Sequence, residues 1–284
     1  MTEQDSLQNF IIENADVRGE IVRLTESYKE ILADNYPDAI KKLLGETLLA
    51  TVLLAGSLKF QGTLTLQFNG EGPIRILVAS CNHELQVRGL AKYDEQAQQH
   101  EFATAFNQGR LVITITPDNA VKPYQSIIAI NGQSIAECLE YYFAQSEQLL
   151  TKFRLITDET RAAGMLIQQL PVKNLDIEKF TQLAVQIQGA ALNEQALLNL
   201  SNIELLQQVY TDQDIRLFDS KAVEFKCSCN VEKMRNAIKV MGEKEAFSLL
   251  STLRVLEVRC EYCNKTHEFD KLEVMSIFNP STKH

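Results

Sequence analysis

Four cysteines set the tightest limit on what this chain can fold into. Cys227-Ser228-Cys229 and Cys260-Glu261-Tyr262-Cys263 are separated by 30 residues, near the end of a 284-residue sequence. A unit running from 220 to the end is marginal on core burial alone and calls for a covalent or metal staple. Four thiolates suit tetrahedral zinc, with Zn–S bonds of about 2.3 Å. In an extended Cys-x-Cys, side chains two apart point to one face, so both sulfurs reach one ion. Cys260-x-x-Cys263, followed by Asn264-Lys265, suits a tight knuckle leading into a strand over Thr266 to Phe269. Cys227, Cys229, Cys260 and Cys263 are therefore expected to hold one zinc ion. Between the pairs, Val231, Met234, Ile238 and Met241 mark a helical face, with Gly242 as its C-cap. Ala246, Phe247, Leu249 and Leu250 mark a second helix, and Leu253 to Arg259 a strand.

The rest of the composition narrows the class. Apolar residues make up 45% and charged residues 23%, which excludes a chain disordered over most of its length. The net charge of −9 speaks against a nucleic-acid partner. The most apolar run, Leu48 to Leu58, is too short for a membrane span, which needs about 20 residues. The opening residues, Met1 to Asp5, are polar and acidic rather than a basic start to a secretory signal. A cytoplasmic location is expected, and in a reducing compartment paired cysteines read as metal or redox groups. Cys81 and Cys138 stand apart and are assigned to the core.

The expected fold class is α+β: an N-terminal mixed sheet-and-helix domain over 1–172, a helical linker over 173–219 and a small zinc-binding domain over 220–284. Phe10 to Ile12 and Glu20 to Leu24 read as strands. Asp38 to about Leu58 reads as a helix, apolar nearly all round in its later half and so buried. Thr63 to Phe68 alternates with period two, and Asn69-Gly70-Glu71-Gly72-Pro73 turns it into a second strand from Ile74. Further strands are predicted over 86–93, 111–116, 124–130, 153–157 and 165–170, with a helix over 134–148. Phe180, Leu183, Ala184 and Ile187 open the linker helices, whose apolar faces are a candidate for a covered binding surface.

A zinc cross-link and a pair of local disulfides have opposite consequences. One ion ties residues 33 apart, and structural zinc contributes about 10–16 kcal/mol of apparent binding energy to small folds. Four cysteines allow three disulfide pairings, and spacing alone does not choose among them. Pairing within each motif would close two tiny loops that hardly constrain the unfolded chain. A domain stapled that way would fold when reduced and melt when oxidised.

Other groups carry less. Gly70-Glu71-Gly72 has no following helix to cradle a phosphate. Glu137 and Glu140 read as a solvated helix face. His83, His100, His267 and His284 are scattered, with His267 near the cluster but surplus to four thiolates. No catalytic constellation emerges, so the chain is not expected to be an enzyme. Two alternatives stand beside a redox switch. One is a static zinc-binding adaptor. The other is a dithiol oxidoreductase using Cys260 and Cys263, which would need a thiol of low pKa at a helix N-terminus.

Taken together, the cysteine spacing, Arg18-Gly19-Glu20, Gly70-Glu71-Gly72-Pro73, Val112 to Pro117, Ser146-Glu147-Gln148-Leu149 and Ala163 to Gln168 resemble the 33 kDa chaperonin family, along nearly the whole chain. The resemblance implies an ATP-independent holdase chaperone that binds unfolding client proteins under oxidative and heat stress. It implies zinc on Cys227, Cys229, Cys260 and Cys263 in an inactive reduced form. It also implies Cys227–Cys229 and Cys260–Cys263 disulfides in an active, oxidised homodimer.

Overall fold

A computed structural model describes residues 5–33, 36–58, 61–95, 97, 102–119, 122–171, 176–189 and 192–279. Lys59, Phe60, His100, Lys173 and His284 lie outside the described residues. Two compact units are present, 1–226 and 227–284.

The first unit opens with a hairpin of β1 (Ser6–Ile12) and β2 (Val17–Leu24). Phe10 sits opposite Gly19 in the register, and a Cβ on Gly19 would lie 2.1 Å from the Phe10 ring, so only glycine fits there. After α1 (Glu26–Ile31) comes α2 (Asp38–Ser57), in which every residue from Leu44 to Ala55 is buried. That is the all-round burial its apolar run predicts. Thr47 and Thr51 survive inside it because their hydroxyls donate to the carbonyls of Leu43 and Thr47, at 2.8 and 2.7 Å.

Next come β3 (Gly62–Asn69), β4 (Ile74–Asn82), β5 (Gln86–Tyr93), α3 (Phe102–Phe106), β6 (Arg110–Pro117) and β7 (Tyr124–Ala129). The alternation in β3 is complete, with Leu64, Leu66 and Phe68 buried. The helix predicted over 134–148 is shorter: α4 spans Ile135–Tyr142 and gives way to a wider π-type turn over Phe143–Glu147. Gln148, at φ 55°, ends that turn in the left-handed region. Two strands follow, β8 (Thr151–Thr157) and β9 (Ala162–Gln169).

Three helices then appear, α5 (Ile177–Gln188), α6 (Glu194–Asn199) and α7 (Asn202–Val209). The helical signal fails past them. Ile215–Ala222 is a strand, β10, paired antiparallel with β1, and β11 (Glu224–Phe225) runs parallel to β5. The sheet orders are β10-β1-β2-β9-β8 and β11-β5-β4-β3-β6-β7. One core gathers α2 with both sheets. A second lies between the five-stranded sheet and the three helices, where Phe10, Ile12, Ile21 and Met165 meet Phe180, Leu183, Ile187, Leu197 and Leu205.

Polar contacts secure those helices to the sheet. Arg23 of β2, 5% exposed, donates to the carbonyls of Leu197 (2.7 Å) and Leu200 (2.6 Å) and to Asn202 Oδ1 (2.9 Å). These include carbonyls at the C-terminal end of α6, where a cation is favoured. Asn202 passes the network on to Gln8 (2.8 Å), and Gln8 donates to Phe218 O on β10 (2.8 Å). Arg161 adds bonds to Leu198 O and Asn199 Oδ1 at 3.1 and 2.8 Å.

The second unit is α8 (Val231–Met241), α9 (Glu243–Thr252), β12 (Leu256–Arg259), β13 (Thr266–Phe269) and α10 (Lys271–Phe278). Gly242 separates α8 from α9 at φ 95°. Its buried core is small: Met234, Ile238, Ala246, Leu256, Phe269, Val274 and Ile277.

Candidate metal centre

The two cysteine pairs reach the same point from different local structures. β12 and β13 pair antiparallel from Leu256 opposite Phe269 to Arg259 opposite Thr266. The loop between them is the predicted knuckle. Cys260 N donates to Lys265 O (2.9 Å), Asn264 N donates to Cys260 O (2.8 Å), and Asn264 takes the left-handed conformation at φ 59°. Asn tolerates that region better than most residues. Arg259 Nε donates to Asn264 Oδ1 at 2.9 Å and holds the turn from outside.

Cys227-Ser228-Cys229 leads into α8. Asn230 caps that helix by accepting from Lys233 N at 2.8 Å. Lys233 Nζ reaches back to Ser228 O (2.8 Å) and Ser228 Oγ (3.0 Å). The N-terminus of α8 and the Lys233 ammonium thus fix the backbone on which the first pair sits. Residue patterning marked the α8 face but not these supports, although Asn230 just before the helical run is an ordinary N-cap signal.

All four Sγ atoms lie within 4.8 Å of one another, and no other group of three or more His, Cys, Asp or Glu converges this way among the described residues. Cys227 Sγ is 3.6 Å from Cys260 Sγ, and Cys229 Sγ is 3.3 Å from Cys263 Sγ. Four Zn–S bonds of about 2.3 Å at tetrahedral angles put sulfurs roughly 3.8 Å apart. The donor set therefore fits zinc in number, chemistry and spacing, and the cysteines are free rather than bridged. His267 is not drawn into the cluster.

The thiols are not equivalent. Burial raises Cys260, but the N–H groups of Tyr262 and Cys263, with the Cys227 and Cys263 thiols, outweigh it and hold it below the ordinary thiol range. Burial raises Cys229, and its contacts with Cys263 and Cys227 add to the rise. Cys227 is also raised, chiefly by burial. Away from the cluster, Cys81 and Cys138 are fully buried, with burial pushing them up to about 12 and about 11, which suits inert core thiols. Glu140 is not the solvated side chain its helical position suggested. It accepts from Lys152 Nζ (2.5 Å) and Phe153 N (3.0 Å).

These features define a class: an α+β protein with a helix-covered sheet and a small unit organised around a four-thiol, zinc-compatible centre. The model of the Hsp33 protein family matches residues 5–270, and the chain belongs to that family. The 33 kDa chaperonin of Shewanella loihica is 39% identical over 282 residues, covering 99% of this chain and 98% of the relative. That of Nitrosococcus oceani is 35% identical over 287 residues, covering 100% and 97%. The crystal structure of the 33 kDa chaperonin from Thermotoga maritima superposes with a TM-score of 0.80 at 25% identity, covering 96% of this chain and 97% of that one. No helix among the described residues is long and apolar enough to cross a membrane.

Proposed function

We propose that this chain is a molecular chaperone of the holdase kind, ATP-independent and switched by thiol oxidation. The gathered cysteines carry the conclusion: four sulfurs within 4.8 Å join segments 33 and 34 residues apart in a unit with a small core. When bound, zinc supplies a long-range cross-link through Cys227, Cys229, Cys260 and Cys263, and that binding energy is also folding energy. The N–H groups of Tyr262 and Cys263 favour the thiolate of Cys260 and ready it for oxidation.

Two peroxide molecules remove four electrons from the four thiolates. Two S–S bonds form, Cys227–Cys229 and Cys260–Cys263, and with four protons four waters leave. Sulfurs tied up in these disulfides would no longer hold zinc. Both disulfide loops are short, so neither replaces the lost cross-link, and the unit from 227 onward unfolds. In a division into core (1–172), linker (173–219) and switch domain (220–284), destabilisation then passes to the linker helices. Their departure uncovers the apolar face of the five-stranded sheet around Phe10, Ile21 and Met165, and unfolding clients bind there as the oxidised chain dimerises. The chain turns over no substrate and works in the cytoplasm.

The test is light scattering of a heat-unfolding client enzyme. Reduced, zinc-loaded protein should leave aggregation unchanged. Protein treated with peroxide at elevated temperature should suppress it, and dithiothreitol should reverse its activation. Suppression by neither form would leave the cluster a static zinc staple.

A further inference from the structure

A second site is built around Glu46. This residue of α2 is 9% exposed, and no hydrogen bond or ion pair reaches its carboxylate among the described residues. A carboxylate so largely withdrawn from water, with no protein partner, is costly. Burial pushes it up to about 7, against the pull of Lys42 one turn earlier. It lines a cavity of about 440 Å³, within the range of small-molecule sites.

The charged groups around that cavity come from three further elements and α2 itself. Lys42 is on α2, Glu137 and Glu140 on α4, Arg154 on β8 and Glu194 on α6, and the Tyr28 hydroxyl of α1 also feels the Glu46 charge. Glu140 is committed to Lys152 and Phe153 N, and Glu137 accepts from Gln133 N at 2.7 Å. Arg154 Nε is buried without a partner. Phe153, Leu155 and Ile156 supply apolar wall. Glu137 and Glu194 are exposed, so carboxylate stands both within the cavity and at its mouth.

A metal ion does not match this arrangement, because no three of these carboxylates approach within 4.8 Å. We propose that the cavity binds a short linear diamine. One ammonium pairs with Glu46, the methylene chain lies along Phe153 and Leu155, and the second ammonium faces Glu137 and Glu194 at the mouth. This site stands independently of the redox switch, so its test does not depend on chaperone activity.

The test is calorimetric titration of the reduced full-length protein with 1,5-diaminopentane at pH 7. Saturable one-to-one binding is expected, weakened at least about tenfold by Glu46→Gln and unchanged by Glu30→Gln on the exposed face of α1. Glu46→Gln keeps the shape and removes a buried charge, so its fold is checked simply by circular dichroism. Binding should also release about half a proton, because the ammonium ionises a carboxyl that titrates at about 7. Titration in two buffers of different ionisation heat reads that release. Absence of saturable binding, equal binding by Glu46→Gln, equal binding of 1,5-pentanediol, or displacement by equimolar Mg²⁺ would each overturn the assignment.

Discussion

Cys229 Sγ stands 3.3 Å from Cys263 Sγ across 34 residues of chain, and Cys227 Sγ stands 3.6 Å from Cys260 Sγ across 33. Both contacts join the early pair to the late one. Oxidation of the intact fold along these contacts would leave long-range cross-links in place and preserve the unit. Pairing within each motif removes them. The switch therefore requires that oxidation and opening proceed together. Peptide mapping of the peroxide-activated protein should find Cys227–Cys229 and Cys260–Cys263. Cys229–Cys263 as the main product of the active form would sink the unfolding switch.

The small core of the second unit makes it dependent on the cluster. Removing metal with a chelator under reducing conditions, or replacing one ligand by Cys263→Ser, should cost several of the roughly 10–16 kcal/mol that structural zinc supplies. Amide exchange should then lose protection in α8, α9 and the β12–β13 hairpin, while β2, β3 and β9 keep theirs. Protection that survives chelation unchanged would show that the seven-residue core suffices.

Arg23 holds α6 and α7 to the sheet with three hydrogen bonds, two of them buried and the one to Leu200 O partly so. Arg23→Ala strands the Leu197 and Leu200 carbonyls, each at about 1–3 kcal/mol when left unsatisfied. Limited proteolysis should become faster within residues 177–209, and the reduced variant should suppress client aggregation without peroxide. Arg161→Ala, at a more exposed position, should do the same more weakly. A reduced Arg23→Ala protein that resists proteolysis like the parent would rule out this clamp.

Glu20 gives the first unit an unusual pH dependence. It is 1% exposed, accepts from Ser57 Oγ at 3.0 Å, and burial raises it from 4.5 to about 7 against that bond and the nearby Arg18. The folded state therefore holds a proton that the unfolded state has lost between those values. The stabilisation is complete below about 4.5 and disappears as pH rises through 7. Glu20→Gln should be more stable than the parent above pH 7, by roughly 2–3 kcal/mol, with the difference closing towards pH 4.5. Urea unfolding of both proteins across that range measures it. A difference independent of pH would mean that Glu20 is not the titrating group.

Local signals recovered much of this fold. Alternation placed β3, an Asn-Gly turn placed the β3–β4 hairpin, and an all-round apolar run placed α2 at the centre. The π-type turn after α4 escaped because Phe143 to Glu147 has no breaker to end a helix. Strand β10 escaped for a different reason. It is an edge strand with only Ile215 and Leu217 packed against the core, and its remaining positions are mostly exposed. Its partner β1 lies some two hundred residues earlier.

The sequence by itself determined the four ligand candidates, the knuckle and the family, because thiol chemistry and tight turns are set by residue type over a few positions. Only the tertiary structure decided which carbonyls Arg23 grips, that Glu20 and Glu46 lie buried, and that Ile215–Ala222 is a strand paired with β1. Those depend on strand pairings and packing between residues far apart in the chain, where the same side chain serves as surface or core according to what the fold brings against it.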